Sequence, residues 1–169
     1  MKEVKRIIRV DHAGELGAIN IYRAQLSISR LLYRDMVPAL EEMLAHENEH
    51  YCIFKTLLNK RSIRPCYAIG FWAVGGMVLG AVTGILGRNS IWVCTNAIES
   101  TVLDHLNWQS DYLQDYAREA YLAVKSIKSD EEQHQKEGAR NGKKSLLYWP
   151  IFGVVQVSTK CAIWLSTKL

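Results

Sequence analysis

The chain has 169 residues, of which 49% are hydrophobic, and this is enough to bury one substantial core. No Ser/Gly/Pro-rich linker divides it, so a single domain over residues 1–169 is expected. Its four cysteines include no C-x-x-C pair, which argues against a zinc knuckle or a disulfide framework and favours a reducing compartment. The formal net charge of +4 comes without any nucleic-acid recognition motif, so no nucleic-acid partner is expected.

Two helices are predicted in the first third of the chain. The first runs from about Val10 to Arg34 and carries Glu15. The second begins near Pro38, because proline is favoured in the first turn of a helix, and it ends before Pro65. The charged segment ahead of Val10 does not resemble a secretory signal peptide, so a cytosol-facing chain is expected.

A third helix is predicted over about 66–86, in a segment without any charge. Glycines recur there at every fourth position, 76, 80 and 84, as they do in closely packed membrane helices. The segment is long enough to span a bilayer, but it could also lie partly immersed in one membrane surface or form a glycine-notched contact in the core. We favour partial immersion, because the next helix carries several acidic residues that do not suit lipid.

Three further helices are predicted in the second half. Residues 87–90 break the chain and cap a fourth helix that carries Glu99. The fifth helix starts after a poorly marked break between 110 and 126. A turn at Asn141 and Gly142 leads to the sixth, over about 145–168, which is strongly apolar and which Pro150 either starts or kinks.

Basic residues flank the two apolar segments and favour contact with anionic lipid headgroups. They are Lys55, Lys60, Arg61, Arg64 and Arg88 around the third helix, and Arg140, Lys143 and Lys144 before the sixth. The side chains expected to form the membrane-facing surface are Ile69, Phe71, Trp72, Val78, Leu79, Val82, Ile85, Trp149, Phe152, Val155 and Trp164.

The most informative pattern is a glutamate followed 32 residues later by Glu-x-x-His, which occurs twice. Every element of the second copy lies 84 residues after its counterpart in the first. On a helix, residues three apart share a face, so each Glu-x-x-His directs a carboxylate and an imidazole to one point. The candidate metal ligands are Glu15, Glu47, His50, Glu99, Glu131 and His134.

This residue set is the one used by di-iron and di-manganese four-helix bundles. Two divalent cations neutralise four carboxylates, and two imidazoles complete an oxygen and nitrogen site suited to iron or manganese. Without metal the clustered carboxylates would repel one another and lose solvation.

Residues 46–50 also match the H-E-x-x-H helix of zinc peptidases. This alternative leaves the second copy of the repeat unexplained, so we interpret His46 as a neighbour of the site or a solvated residue. Asp11 either orients a ligand imidazole or is solvated. His105 either lies just outside the ligand set or is a buried histidine bonded to backbone.

Four segments carry longer motifs: Ile-Arg-Val-Asp-His-Ala-Gly-Glu-Leu-Gly-Ala at 8–18, and the stretches 46–50, 96–109 and 130–138. On these motifs the chain resembles the demethoxyubiquinone hydroxylases of coenzyme Q biosynthesis. Some members have a tyrosine after the histidine that aligns with His105, where this chain has Leu106.

The resemblance implies an all-α, ferritin-like four-helix di-iron bundle with two additional apolar helices. It implies a 3-demethoxyubiquinol 3-hydroxylase, a monooxygenase that uses dioxygen and two electrons on the ring of a polyprenyl benzoquinol. Two iron ions would be held by the six candidate ligands, with Glu47 and Glu131 as the bridging pair, and no catalytic residue beyond them is identified. No nicotinamide or flavin fingerprint is present, so the quinol or a separate reductase would supply the electrons.

The expected location is peripheral, on the cytoplasmic face of a bacterial cell membrane or on the inner mitochondrial membrane in a eukaryote. Partner proteins of ubiquinone biosynthesis and a homo-oligomer are further expectations. The alternative functions are a ferritin-like iron-binding peroxidase or iron store, which would not explain the apolar helices, and a structural membrane protein, which would not explain the repeat.

Overall fold

The structure is a computed structural model that describes residues 2–142 and 148–168. Over these residues it is all-α, with no strand. A 3-10 turn, Arg34–Met36, follows the first helix. The six α-helices are α1 (Lys2–Leu32), α2 (Val37–Lys60), α3 (Ile69–Leu86), α4 (Arg88–Tyr116), α5 (Arg118–Asn141) and α6 (Trp149–Ser166).

The largest difference between the observed and the predicted helix boundaries lies at the start of α1. Helix α1 begins at Lys2 rather than Val10, because Val4, Ile7 and Ile8 lie on one helical face and are buried in the core. The break between α4 and α5 falls at Ala117, inside the predicted interval. Pro150 lies in the first turn of α6 and therefore starts this helix, while the predicted start at 145 lies outside the described residues.

Helices α1, α2, α4 and α5 form a four-helix bundle made of two antiparallel hairpins. The hairpins pack antiparallel to each other, since His46 contacts His134 while Lys60, at the far end of α2, pairs with Glu119 at the start of α5. Helix α3 runs parallel to α1 and returns the chain from the end of α2 to the start of α4. One long crossover of this kind is typical of ferritin-like folds, so the predicted fold class is confirmed.

Helix α3 lies against α1 through its glycines. A Cβ at Gly76 or Gly80 would overlap the backbone of Gly17 or Ile21, so only glycine permits this close approach. The opposite face of α3 is open to solvent, and the side chain of Ile85 is 70% exposed. By length and composition alone α3 could cross a membrane, but in the fold it is a two-faced helix attached to the bundle.

Helix α6 has the same two-faced character. Val155 is buried against α4, in a cluster with Cys94, Ala97 and Ile98. The expectation that Val155 faces lipid is therefore wrong. Phe152, also expected to face lipid, is only partly exposed and packs against the same cluster. The large side chains of Trp149, Val154, Val157 and Trp164 do point outward.

Two apolar clusters occupy the ends of the bundle. One contains Ile7, Phe54 and Leu113 among its members, and the other contains Leu26, Leu40 and Ile91. The layer between them holds the polar side chains of the candidate site. The clusters separate this layer from solvent at both ends and make it a region of low dielectric constant.

Candidate metal centre

The structure brings all six sequence-predicted candidate ligands together in the middle layer of the bundle. Each of the four bundle helices contributes at least one of them. Their side chains are nearly inaccessible, with exposures from 1% for Glu47 to 6% for Glu15. Buried carboxylates at this density need compensating positive charge.

The six side chains form two overlapping groups whose possible ligand atoms lie within 4.8 Å of one another. The first group is Glu15, Glu47, His50 and Glu131, and the second is Glu47, Glu99, Glu131 and His134. Glu47 and Glu131 belong to both groups. These groups can hold metal ions, and the two shared carboxylates are candidate ligands in both groups.

Both histidines direct Nδ1 into the cluster. His50 Nδ1 lies 3.1 Å from Glu131 Oε1, and His134 Nδ1 lies 3.5 Å from Glu47 Oε1. On its other side, His50 Nε2 donates to Asp130 Oδ2 at 3.1 Å, so Nδ1 is the nitrogen that would bind a metal after losing its proton. His134 Nε2 lies 3.0 Å from His46 Nδ1, and the two rings are nearly parallel.

The pKa values of the cluster show how it is held when no metal is bound. Burial raises the pKa of Glu15, Glu47 and Glu99, and neighbouring carboxylates raise it further. Burial acts in the same direction on Glu131, but the neighbouring His50 imidazole and Glu99 carboxyl outweigh it and lower its pKa. For His50, burial lowers the pKa, while the Glu131 and Glu15 carboxylates outweigh burial and raise it to about 11. Protons therefore occupy the site in the place of cations.

The unpaired atoms of this layer match the donors that a metal needs. Glu47 Oε1, His50 Nδ1, Glu131 Oε2 and His134 Nδ1 are fully buried, and none makes a hydrogen bond within the described part of the chain. Most buried polar atoms in proteins are hydrogen-bonded, so four unpaired atoms directed at one volume need an explanation. Divalent cations in this volume would satisfy all of them, and the residues therefore fit a two-metal site.

The sequence analysis missed Asp130 and the hydrogen bond across the bundle that it accepts from His50. A signal was available, because His46 and Asp130 are separated by the same 84 residues as the ligands. Each precedes a Glu-x-x-His histidine by one turn and contacts the histidine of the other helix. Each copy of the repeat thus includes one residue that contacts a ligand histidine, His46 in the first copy and Asp130 in the second.

Tyr22 was also missed. Its hydroxyl is buried and donates to Glu99 Oε1 at 2.6 Å, and its ring meets that of His134 edge-on. Tyr22 lies two helical turns after Glu15, so helical periodicity places both side chains on one face of α1. A hydrogen bond of this kind leaves one oxygen of Glu99 restrained and the other available.

The remaining candidates take different positions. His46 contacts His134 and belongs to neither four-residue group, so it is a neighbour of the site, and the arrangement does not support a zinc peptidase. Asp11 is buried, and its Oδ1 accepts a hydrogen bond from Gln109 at 2.7 Å instead of orienting an imidazole. Burial is the main cause that raises the Asp11 pKa. His105 lies apart from the ligands and accepts a hydrogen bond from Trp108.

A cavity of about 630 Å³ connects the cluster with the outer apolar helices. Its inner end is lined by Glu15, Glu47, Glu99 and Glu131. Most of its remaining wall is apolar and comes from α1, α3, α4 and α6, with Phe71, Trp72 and Val78 among the α3 residues. An apolar cavity with a few convergent polar groups at one end is typical of a small-molecule site.

Comparison with known proteins gives consistent matches. The family model described as ubiquinone biosynthesis protein COQ7 matches residues 2–166. A Dictyostelium discoideum protein named NADPH-dependent 3-demethoxyubiquinone 3-hydroxylase, mitochondrial, is 36% identical over 170 residues, which cover 98% of this chain and 77% of that protein. A Rhodospirillum rubrum protein named 3-demethoxyubiquinol 3-hydroxylase is 34% identical over 167 residues, covering 98% and 78%. A human protein with the same name as the Dictyostelium one is 33% identical over 172 residues, covering 98% and 78%.

Proposed function

The chain belongs to the ubiquinone biosynthesis protein COQ7 family, and we propose that it is a 3-demethoxyubiquinol 3-hydroxylase. It hydroxylates the ring of a 2-polyprenyl-3-methyl-6-methoxy-1,4-benzoquinol with dioxygen. The observation that carries this proposal is the cavity that joins the apolar helices to the buried carboxylates. A quinol with a long hydrocarbon tail needs both surfaces, one for the tail and one for the reaction.

The proposed cofactor is a pair of iron ions held by the six candidate ligands. Glu47 and Glu131 are the proposed bridges, because both four-residue groups contain them. Iron in such a site supplies the activation of dioxygen, which does not react with closed-shell organic molecules unaided. Asp130 and His46 hold the two imidazoles in the orientation that presents Nδ1 to the metal.

The residues of the chain provide orientation and exclude water. The apolar clusters at both ends of the bundle and the apolar cavity wall limit the access of bulk water to the site. The reaction replaces a ring C–H with C–OH. One oxygen atom enters the product and the other leaves as water, with two electrons and two protons from a donor.

The donor is proposed to be NADPH, directly or through a reductase. The names of the Dictyostelium and human relatives state NADPH dependence. The sequence left two electron sources open, the quinol itself and a separate reductase. The NADPH proposal replaces the quinol as the source and keeps a reductase as one route from NADPH to the site.

Membrane association is proposed through the outer faces of α3 and α6. Both helices expose large apolar side chains, such as Phe71, Ile85 and Trp149. Large exposed apolar surfaces mark sites that bind membranes or other proteins. The eukaryotic relatives carry mitochondrial names, which agrees with an inner mitochondrial membrane in a eukaryote, and a bacterial chain would lie on the cytoplasmic face of the cell membrane. A homo-oligomer, partner proteins and the single-domain boundary stay predictions.

The iron-storage or peroxidase alternative has no support from the relatives named above. It also gives no role to a cavity that opens between apolar helices.

The function is tested with iron-loaded protein, a reductant and a short-tailed demethoxyubiquinol under isotopically labelled dioxygen. We expect mass spectrometry to find one labelled oxygen atom in the ring product. Labelled water with unlabelled dioxygen is the control and should leave the product unlabelled. Iron-loaded protein that consumes peroxide and never oxygenates the quinol would contradict the proposal.

We also propose that the quinol enters the cavity from the membrane, between the outer faces of α3 and α6. This entrance is tested with Ile85→Glu and Val154→Glu, two exposed positions outside the cavity wall. Each charge should weaken binding to vesicles about thirtyfold, since burying one such side chain contributes roughly 2 kcal/mol. Turnover of a long-tailed quinol should fall with it, while turnover of a short-tailed quinol and iron content should not change.

The matched control is Gln133→Glu, which adds the same charge to an exposed position on α5, away from α3 and α6. It should leave vesicle binding unchanged. If Ile85→Glu lowers activity equally on short-tailed and long-tailed quinols, the entrance does not face the membrane.

A further inference from the structure

The cavity that leads to the carboxylates contains a histidine for which the metal site has no use. His105 lies on α4, six residues after Glu99, and lines the cavity. Its Nε2 is buried and has no hydrogen-bond partner in 2–142 or 148–168. An unpaired polar atom in a wall that is otherwise mostly apolar marks a position where a ligand can bind.

Trp108 determines which nitrogen of His105 carries the hydrogen. The indole Nε1–H can only donate, and it lies 3.0 Å from His105 Nδ1, so Nδ1 must accept. Burial lowers the pKa of His105 to about 4, and the ring is therefore neutral at physiological pH. A neutral imidazole that accepts at Nδ1 carries its hydrogen on Nε2.

We propose that the Nε2–H group of His105 donates a hydrogen bond to a ring oxygen of the quinol head group, with Trp108 as the residue that positions this donor. The proposal rests on the proposed function and adds the group that orients the ring. The head group has oxygen atoms on opposite sides of the ring. Holding one of them by His105 limits which ring carbon faces the carboxylate end of the cavity.

The geometry favours a head-group oxygen over the prenyl tail as the partner. The tail has only hydrocarbon and would leave the buried Nε2–H unsatisfied, at a cost of about 1–3 kcal/mol. Water is the other possible partner, and the ligand oxygen would replace it. This hydrogen bond would also give specificity, because a site with a buried N–H donor binds ligands that lack the accepting oxygen more weakly.

The test measures binding rather than turnover, using iron-loaded protein without reductant. The probes are a short-tailed demethoxyubiquinone and a compound of the same shape without the ring oxygens. His105→Leu should weaken binding of the quinone about tenfold and leave binding of the oxygen-free compound within about twofold. His105→Gln, whose side-chain amide can also donate, should restore most of the lost affinity.

Trp108→Phe is the milder variant, because it keeps an aromatic ring and removes only the N–H group. It should weaken quinone binding a few-fold, since Nδ1 of His105 then competes for the hydrogen. Trp164→Phe, at an exposed position on α6 outside the cavity wall, is its control and should change neither affinity.

Two failures can be told apart. If the wild-type protein does not bind the quinone, the proposed function falls and this inference falls with it. If the wild type binds the quinone but His105→Leu weakens both probes equally or neither, only the role of His105 is overturned. Iron content should stay constant in every variant, because His105 is not among the candidate ligands.

Discussion

Glu47→Ala should abolish binding of both metal ions and lower turnover by at least about a hundredfold, more than the loss that follows removal of a residue supporting a ligand. Glu47 belongs to both groups of candidate ligands, so its loss leaves each group with three members. The same result is expected for Glu131→Ala. The metal-free form of Glu47→Ala should unfold at a higher temperature than metal-free wild type, because one buried carboxylate is removed from a cluster that repels it.

Neighbouring glutamates supply the controls for this experiment. Glu49 is exposed on another face of α2, and Glu132 pairs with Lys136 at the surface of α5. Alanine at either position should leave metal content and turnover unchanged. Elemental analysis and thermal unfolding give the two readouts. An active wild-type enzyme that contains one zinc ion per chain would contradict the two-iron site.

Metal-free protein should lose stability as the pH rises from 7 to 9, by about 1 kcal/mol per pH unit for each extra proton that the folded state holds. Burial and neighbouring carboxylates raise the pKa of Glu15, Glu47 and Glu99 in the folded chain. A carboxyl with a raised folded pKa binds more protons folded than unfolded. Its contribution to stability is therefore present at low pH and lost as the pH rises.

His50 acts in the same direction over this window. Burial lowers its pKa, but the Glu131 and Glu15 carboxylates raise it from 6.5 to about 11, so folding is favoured below pH 6.5 and this advantage is lost towards pH 11. His12 and His105 act in the opposite direction, since burial lowers the pKa of each to about 4. Their effect ends near pH 6.5, the ordinary pKa of histidine, and does not disturb the window from 7 to 9.

Metal-loaded protein is the matched comparison. Bound cations replace the protons of the cluster, so its stability should change little between pH 7 and 9, and the stabilisation by metal should grow with pH. Denaturant unfolding at fixed ionic strength measures both forms. A metal-free protein that is equally stable, or more stable, at pH 9 would show that the carboxylates are not clustered in a buried site.

Local periodicity explains why the candidate ligands could be predicted. A Glu-x-x-His pair needs only helical geometry to converge, and the second copy at a constant offset identifies the partner helix. The helix count and type followed from apolar runs and from prolines and glycines at their ends. The start of α1 was misplaced because the charged residues before Val10 hid the apolar face formed by Val4, Ile7 and Ile8.

Contacts between helices could not be predicted in the same way. The bond from His50 to Asp130 joins α2 to α5, and its existence depends on how far each helix is rotated and shifted against the other. Tyr22 and Glu99 are likewise brought together only by packing of α1 on α4. Small changes in register would move these atoms beyond hydrogen-bond distance.

The helical class, the duplicated ligand set and its chemistry could be read from the sequence, because these depend on residue type and on spacing along one helix. The packing of α3 against α1 became clear only from the folded chain. Its glycines face α1 because a backbone contact that close excludes any Cβ, and this leaves the large side chains on the outer face. The cavity and the orientation of His105 likewise could not be predicted from the sequence. The cavity wall is made by residues of several helices, so it forms only when these helices pack together.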